Sequence, residues 1–192
     1  MKKKIIVYLF DGFSDWEIAY FTPEIKKSDR FELIYCSENG QEVCSMGGLR
    51  VTPQLSLSEI KMDDLELIVL PGGTFWENPG VTPIDDFIKN AFQEQKPIAA
   101  ICGATIYLAR MGMLNEVNHT SNDLNYLKMV APEYTGEQNY INAPATTGQN
   151  IITACGIAPI EFTQEIFRKI ALYDEPSIKK WFDLFKHGIW SE

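Results

Sequence analysis

The sequence is poor in histidine and has fewer basic than acidic residues. Only two histidines, His119 and His187, occur among 192 residues, so few catalytic schemes that depend on an imidazole can be built. Lys and Arg number 17 against 26 Asp and Glu, which gives a net charge of -9. This balance argues against nucleic acid or an anionic membrane as the main partner.

Cysteine is also sparse, and its spacing excludes a familiar kind of site. The four cysteines show no CxxC pair and lie at Cys36, Cys44, Cys102 and Cys155. With only two histidines beside them, they do not form the ligand set of a structural zinc site, so we expect no metal. Isolated thiols of this kind are typical of a reducing compartment, so we expect a cytoplasmic protein.

Long hydrophobic runs are missing as well. The uncharged apolar stretch at residues 97–109 is too short to cross a bilayer. The apolar run at residues 5–10 follows three lysines, but it is shorter than the core of a signal peptide and no small-residue cleavage site follows. We therefore expect neither a membrane span nor a secretory leader.

Short apolar runs alternate with segments of helical length. Strands are predicted at residues 5–10, 31–36, 65–70, 97–102 and 150–153. Helices are predicted at residues 15–27, 82–95, 103–111 and 159–172, with a last amphipathic helix around Trp181. This alternation predicts an α/β fold with a mostly parallel central sheet covered on both faces. Residues 38–56 are typical of an inserted β-hairpin, and no linker divides residues 1–192, which we expect to form a single domain.

Cys102 carries the strongest local signal for chemistry, because a predicted strand turns directly into a predicted helix there. Small residues flank it at Ala100, Gly103 and Ala104, as the crowded turn of a nucleophile elbow requires. The first amides of the helix would stabilise a thiolate and lower the pKa of the thiol. A cysteine buried beneath a helix has the same pattern, so the residues alone leave both interpretations open.

Two other strand ends carry weaker signals. Gly72 and Gly73 follow the strand at residues 65–70; paired glycines can bring backbone amides to an oxyanion, although a plain tight turn has the same sequence. Ser14 and Glu17 follow the first strand with the spacing of a helix capping box, in which Glu17 would bond to the Ser14 amide. Spacing alone favours that box over a place for Glu17 at the functional edge of the sheet.

Together these three turns resemble the ThiJ/PfpI family of the class I glutamine amidotransferase-like superfamily. The resemblance extends from residues 5–17 to the strand-to-helix passage at residues 152–166. It implies a flavodoxin-like three-layer sandwich, a homodimer and no organic cofactor. It also implies that Cys102 is the elbow nucleophile, that Glu17 is the protonated acid beside its thiolate, and that the amides of Gly73 and Gly103 form the oxyanion hole. This reverses the preference for the capping box.

The sequence departs from the family at its histidine positions. The residue after the cysteine is Gly103, the end of the next extended segment is Asn122, and residues 153–156 contain no His-x-Glu. Asn122 is therefore predicted to be an orienting group at best. His119 is expected on a surface strand that faces away from Asn122, and His187 at the end of a helix.

Without a histidine, a Cys-His hydrolase would lose a large factor in rate, so amide hydrolysis and proteolysis are less expected. The leading hypothesis is a cysteine-dependent enzyme that attacks a small carbonyl or amide substrate, with Glu17 moving the proton. One alternative is a non-catalytic redox sensor or stress protein oxidised at Cys102. Another is a degenerate binding domain. Cys36 and Cys44 are interpreted as structural, and Cys155 as a second thiol at a helix start.

Overall fold

The computed structural model of the protein describes residues 2–78 and 80–190; residues 1, 79, 191 and 192 of the predicted domain lie outside this part. Seven strands form one sheet in the order β5-β2-β1-β6-β7-β9-β8, and two form a separate hairpin. The strands are β1 Lys3–Tyr8, β2 Phe31–Ser37, β3 Val43–Cys44, β4 Arg50–Val51, β5 Leu55–Ser56, β6 Leu65–Leu70, β7 Ile98–Ile101, β8 Ala145–Gly148 and β9 Ile151–Ala154.

Helices pack on this sheet in two groups. They are α1 Phe21–Lys27, α2 Asp85–Gln93, α3 Gly103–Arg110, α4 Leu124–Val130, α5 Pro159–Lys169 and α6 Glu175–His187. Helix α5 contacts both α1 and α6, whereas α3 contacts α4. All pairings within the large sheet are parallel except that of β8 with β9. The predicted mostly parallel, flavodoxin-like α/β fold is confirmed, and so is the hairpin, formed by β3 and β4.

Two elements carry no apolar run and were missing from the predicted order. Strand β8 has the sequence ATTG and is only half-buried at the sheet edge, so its residues lack the branched apolar pattern of the central strands. Helix α4 begins after Asp123, whose side chain accepts a hydrogen bond from the Tyr126 amide, and it buries only Leu127 fully. Both elements depend on neighbours that are distant in sequence.

The helix predicted at residues 15–27 is divided. A short 3-10 helix covers Asp15–Glu17, and α1 begins only at Phe21. The capping box that spacing alone favours does not form, because the Ser14 amide donates to the Gly72 carbonyl at 3.0 Å and is not available to Glu17. Ending the first turn at Glu17 frees its side chain to point into the protein.

The sheet order brings four buried strands side by side. Strands β1, β6, β7 and β9 are neighbours in the sheet, and the apolar residues at their centres, such as Ile6, Ile68 and Ala99, are fully buried. Because these strands are parallel, their carboxyl ends meet at one edge. Residues that directly follow the four strands therefore lie next to one another.

His119 is not on the surface, so that prediction is wrong. Its side chain is fully buried; Nδ1 lies 2.7 Å from the Val117 carbonyl and Nε2 lies 2.6 Å from the Tyr134 hydroxyl. Both ring nitrogens are thus occupied within the core, where a satisfied histidine is tolerated. His187 is the last residue of α6, as predicted.

In the described part of the chain, no helix has the length and apolar character needed to cross a membrane.

Candidate active site

Cys102 lies at the turn between β7 and α3 and has a left-handed backbone, with φ at 58°. Such a conformation is costly for a residue with a Cβ and must be held by its surroundings. Here the Cys102 amide donates to the Ala154 carbonyl at 3.0 Å, and the Cys102 carbonyl accepts bonds from the amide and hydroxyl of Thr105. The sharp turn predicted at this residue is therefore present, with the thiol half-buried.

Glu17 is completely buried at this turn. Its Oε2 accepts a hydrogen bond of 2.5 Å from the Gly72 amide. Its Oε1 has no hydrogen-bond partner of good geometry among the described residues, and the carboxyl group also interacts with the Cys102 thiol and the Ser14 side chain. One carboxyl oxygen is thus anchored to the end of β6, while the carboxyl group as a whole lies beside the sulfur.

Glycines make this close approach possible. A Cβ added to Gly72 would lie 2.6 Å from the Cys102 Cβ and 2.8 Å from the Glu17 Oε2. A Cβ added to Gly156 would lie 2.7 Å from the Cys102 Sγ and 3.2 Å from the Glu17 Oε1. Any side chain at either position would push the acid and the thiol apart. Gly156 lies two residues beyond the end of β9, and its place near a strand end was the signal that could have identified it from sequence.

Asn122 holds the sulfur from the opposite side. Its Oδ1 accepts a hydrogen bond of 2.8 Å from the Gly156 amide. Only the oxygen of the side-chain amide can accept, so this bond determines the orientation of the group. The Nδ2 atom is then directed at the Cys102 Sγ, 3.3 Å away. Asn122 can orient the sulfur and donate to it, but it cannot exchange a proton with it.

The two predicted oxyanion donors also lie at this site. The Gly103 amide donates to Cys102, and the Gly73 nitrogen lies 3.6 Å from the point that a Cβ on Gly103 would occupy. That Cβ would lie only 2.9 Å from the Gly73 carbonyl oxygen, so the ends of β6 and β7 are packed tightly through glycine. All five predicted residues, Glu17, Gly73, Cys102, Gly103 and Asn122, are therefore brought together.

The proton affinities of the acid and the thiol are coupled. Burial raises the pKa of Glu17 from 4.5 to about 7, although the Gly72 amide acts in the opposite direction. Burial, and then the negative charge of Glu17, raise the pKa of the Cys102 thiol to about 11. The lowered thiol pKa expected from the helix amides is not found, because donation from Gly103 and Asn122 does not offset lost hydration and the adjacent carboxylate. Above about pH 7 the pair therefore shares a single proton.

The other thiols and imidazoles lie outside this arrangement. The structure places neither histidine beside Cys102, since His119 is bonded within the core and His187 ends α6. Cys155 does not stand at a helix start as expected, because α5 begins only at Pro159. Cys36 is fully buried in β2, and Cys44 is exposed in the hairpin. In residues 2–78 and 80–190, no group of three or more acidic, histidine or cysteine side chains could hold a metal ion.

We expect Glu17→Gln to remove a pH dependence of stability. The folded protein keeps the Glu17 proton up to about pH 7, whereas an unfolded chain releases it near pH 4.5. The stability that this proton contributes is complete below pH 4.5 and is lost as the pH rises through 7. The loss amounts to about 3 kcal/mol. Urea unfolding of the wild-type protein and of Glu17→Gln at about pH 5 and about pH 8 measures this loss of stability. The same change in the free energy of unfolding in both proteins would contradict the expectation.

Comparison of the sequence with known proteins shows a match over most of the chain. Residues 3–169 match the DJ-1/PfpI family. A relative from Bacillus subtilis, named Uncharacterized protease YoaZ, is 37% identical over 191 residues, which cover 96% of this chain and 91% of the relative. Deglycase TK1284 from Thermococcus kodakarensis is 28% identical over 122 residues, covering 62% of this chain and 71% of the relative.

Solved structures agree with this match. A thiJ/pfpI family protein from Bacillus anthracis has a TM-score of 0.91 at 39% identity, with 98% of this chain and 92% of the other covered. The DJ-1 superfamily protein Atu0886 from Agrobacterium tumefaciens has a TM-score of 0.87 at 30% identity, with 96% and 99% covered. The chain therefore belongs to the DJ-1/PfpI family.

Proposed function

We propose that the protein is a cysteine-dependent enzyme that adds Cys102 to the carbonyl carbon of a small α-oxoaldehyde. The observation that carries this proposal is the buried Glu17 carboxyl group, which interacts with the thiol and whose Oε1 has no hydrogen-bond partner of good geometry among the described residues. A thiol beside a group that can take up and return one proton is suited to a carbonyl addition. Relatives named as deglycases support a substrate of this carbonyl class.

The first step needs one proton to move within the pair. As the Cys102 sulfur forms a bond to the aldehyde carbon, the thiol proton passes to the Glu17 carboxylate and the carbonyl electron pair moves onto oxygen. The amides of Gly73 and Gly103 donate to this oxyanion. Glu17 then returns the proton to the oxygen, which completes a hemithioacetal. Asn122 keeps the sulfur in place throughout.

The second step converts this adduct into an acid. Glu17 removes the hydrogen from the former aldehyde carbon as a proton and delivers it to the neighbouring carbon, while the hydroxyl proton of the hemithioacetal moves to the second carbonyl oxygen, so that the second carbonyl becomes an alcohol. The first carbon is then the carbonyl of a thioester with Cys102. Water hydrolyses the thioester, which frees the thiol and releases a 2-hydroxy acid. The net change is the addition of one water to the oxoaldehyde.

An aldehyde suits this site better than an amide. Cleavage of an amide requires a proton for the departing amine, which a histidine supplies in Cys-His hydrolases. Glu17 is the acid in contact with Cys102, and in an aldehyde addition its one proton stays with the adduct. An α-oxoaldehyde has no leaving amine, so a single carboxyl group is enough.

Cys102→Ser should reduce kcat/KM for methylglyoxal by about a thousandfold or more, because the hydroxyl is a far weaker nucleophile without a histidine base. Formation of lactate by the purified protein measures the effect. Cys44→Ser is the matched control, since Cys44 is exposed in the hairpin away from the site. Equal turnover by the Cys102 variant would overturn the proposal. Selective oxidation of Cys102 by peroxide without any turnover would support a redox sensor instead.

The alkylation of Cys102 by iodoacetamide should follow the first proton lost from the pair. We expect the rate in the wild-type protein to rise through about pH 7, where Glu17 ionises. In Glu17→Gln no carboxyl can give up this first proton, while burial still raises the thiol pKa, so the rise should move to higher pH. Peptide mass spectrometry follows the reaction, and Glu94→Gln, at an exposed residue of the surface, is the control. Coincident profiles for wild type and Glu17→Gln would show that the two groups are not coupled.

We also propose a homodimer. Three neighbouring apolar side chains support it: Trp16 is 45% exposed, and Met46 and Leu49 in the hairpin loop are 51% and 59% exposed. Burying such side chains against a second copy would remove them from water. Sedimentation velocity should give twice the 21.8 kDa chain mass, and Leu49→Asp should shift the protein towards monomer. A wild-type protein that sediments as a monomer at high concentration would exclude the dimer.

A further inference from the structure

A cavity of about 280 Å³ lies beside Asn122, at the start of α5 and the end of α6. It shares Ser121 and Asn122 with the crevice over Cys102, and that crevice has essentially no free volume of its own. Asn122 separates the two spaces, since its Nδ2 donates to the Cys102 Sγ. The neighbouring cavity therefore offers room for the remaining atoms of a substrate whose carbonyl carbon reaches the sulfur.

Glu161 on α5 gives this cavity its chemical character. Its Oε1 forms an ion pair of 2.8 Å with the Lys186 Nζ on α6. Its Oε2 is buried and has no hydrogen-bond partner in the described part of the chain. A buried carboxylate oxygen without a donor is unfavourable, because folding removes its hydration and supplies nothing in return. A donor brought by a ligand would restore the missing bond.

We propose that this cavity binds the non-reacting end of the substrate and selects an end that carries an ammonium group. The inference rests on the function proposed for Cys102, because it takes the cavity as the continuation of the reaction site. Because Oε2 is buried, the Glu161 carboxyl group would turn towards the cavity to accept a hydrogen bond from the ammonium group, while Lys186 keeps its bond to Oε1. The ligand class is a small α-oxoaldehyde with an amine on its chain.

Charge favours this ligand over an anionic or a neutral one. A charged donor forms a stronger bond to a carboxylate than a hydroxyl or an amide does. The Lys186 ammonium is already paired with Glu161, so an anion would gain little from it and would meet the free carboxylate oxygen. The net charge of the chain, -9, also attracts cations from a distance.

Cys155 lines the same cavity and is only partly buried, so it can report on the charge there. The experiment uses the Cys102→Ser protein and two small reagents, 2-aminoethyl and 2-sulfonatoethyl methanethiosulfonate. Each forms a mixed disulfide with a thiolate and releases methanesulfinate, and the two differ in carrying an ammonium or a sulfonate group. Peptide mass spectrometry gives the labelling rate at Cys155, with the exposed Cys44 as an internal reference.

We expect the ratio of cationic to anionic labelling to be at least about tenfold higher at Cys155 than at Cys44. Glu161→Gln should bring the Cys155 ratio down to that of Cys44. Lys186→Met should raise it, since Glu161 then has no internal cation; this variant also decides the matter if Glu161→Gln fails to fold. Three results would each overturn the proposal that the cavity selects an ammonium group. They are equal ratios at the two cysteines, an unchanged Cys155 ratio in Glu161→Gln, and a lower Cys155 ratio in Lys186→Met.

Kinetics in the protein with Cys102 intact connect the pocket to the substrate. Glu161→Gln should raise KM for an α-oxoaldehyde with a terminal ammonium group at least about tenfold more than it raises KM for methylglyoxal. Equal effects on both compounds would contradict selection by Glu161. Because the labelling experiment uses a protein without the Cys102 thiol, its outcome does not depend on catalysis. The labelling experiment therefore distinguishes failure of the proposed pocket from failure of the proposed catalysis.

Discussion

Burial of the Glu17 carboxyl against the Cys102 sulfur is the constraint around which the functional edge of the sheet is arranged. An ionisable acid removed from water must lose its charge or find donors. Here a single amide, that of Gly72, bonds one oxygen, and the other oxygen faces the thiol. Such an acid opposes folding above its raised pKa. The cost is typical of sites in which chemistry has been favoured over stability.

Glycine at the strand ends is what allows this contact. Gly72 after β6 and Gly156 after β9 pack on either side of the Cys102 side chain, where any Cβ would collide with the sulfur or the acid. The left-handed turn of Cys102 adds strain of its own, held by backbone bonds to Ala154 and Thr105. Packing of the central strands fixes these turns in place, so the rigid core of the sheet supports the crowded site at its edge.

Proton transfer in this site depends on one carboxyl group. Asn122 holds the Gly156 amide with one end of its side chain and the sulfur with the other. An amide positions the sulfur but moves no proton, and His119 is occupied in the core. For the proposed function, this arrangement favours a carbonyl addition, in which the proton of the sulfur returns to the adduct, over a cleavage with an amine leaving group.

The order of strands and helices, the elbow at Cys102 and the glycine turn after β6 were predictable from sequence, because each is a local pattern of apolar runs and small residues. The edge strand β8 and the buried state of His119 were not, and the place of Glu17 beside Cys102 was implied only by the family resemblance. The Ser14 and Glu17 spacing favoured a capping box, and only the approach of Gly72 from β6 directs Glu17 inward. The direction in which the pKa of Cys102 is shifted also depended on burial and on the carboxylate of Glu17, which is 85 residues away in sequence. The sequence alone therefore determined which residues could react. The tertiary structure decided how they share protons, since hydration and charge at a site depend on what packs around it.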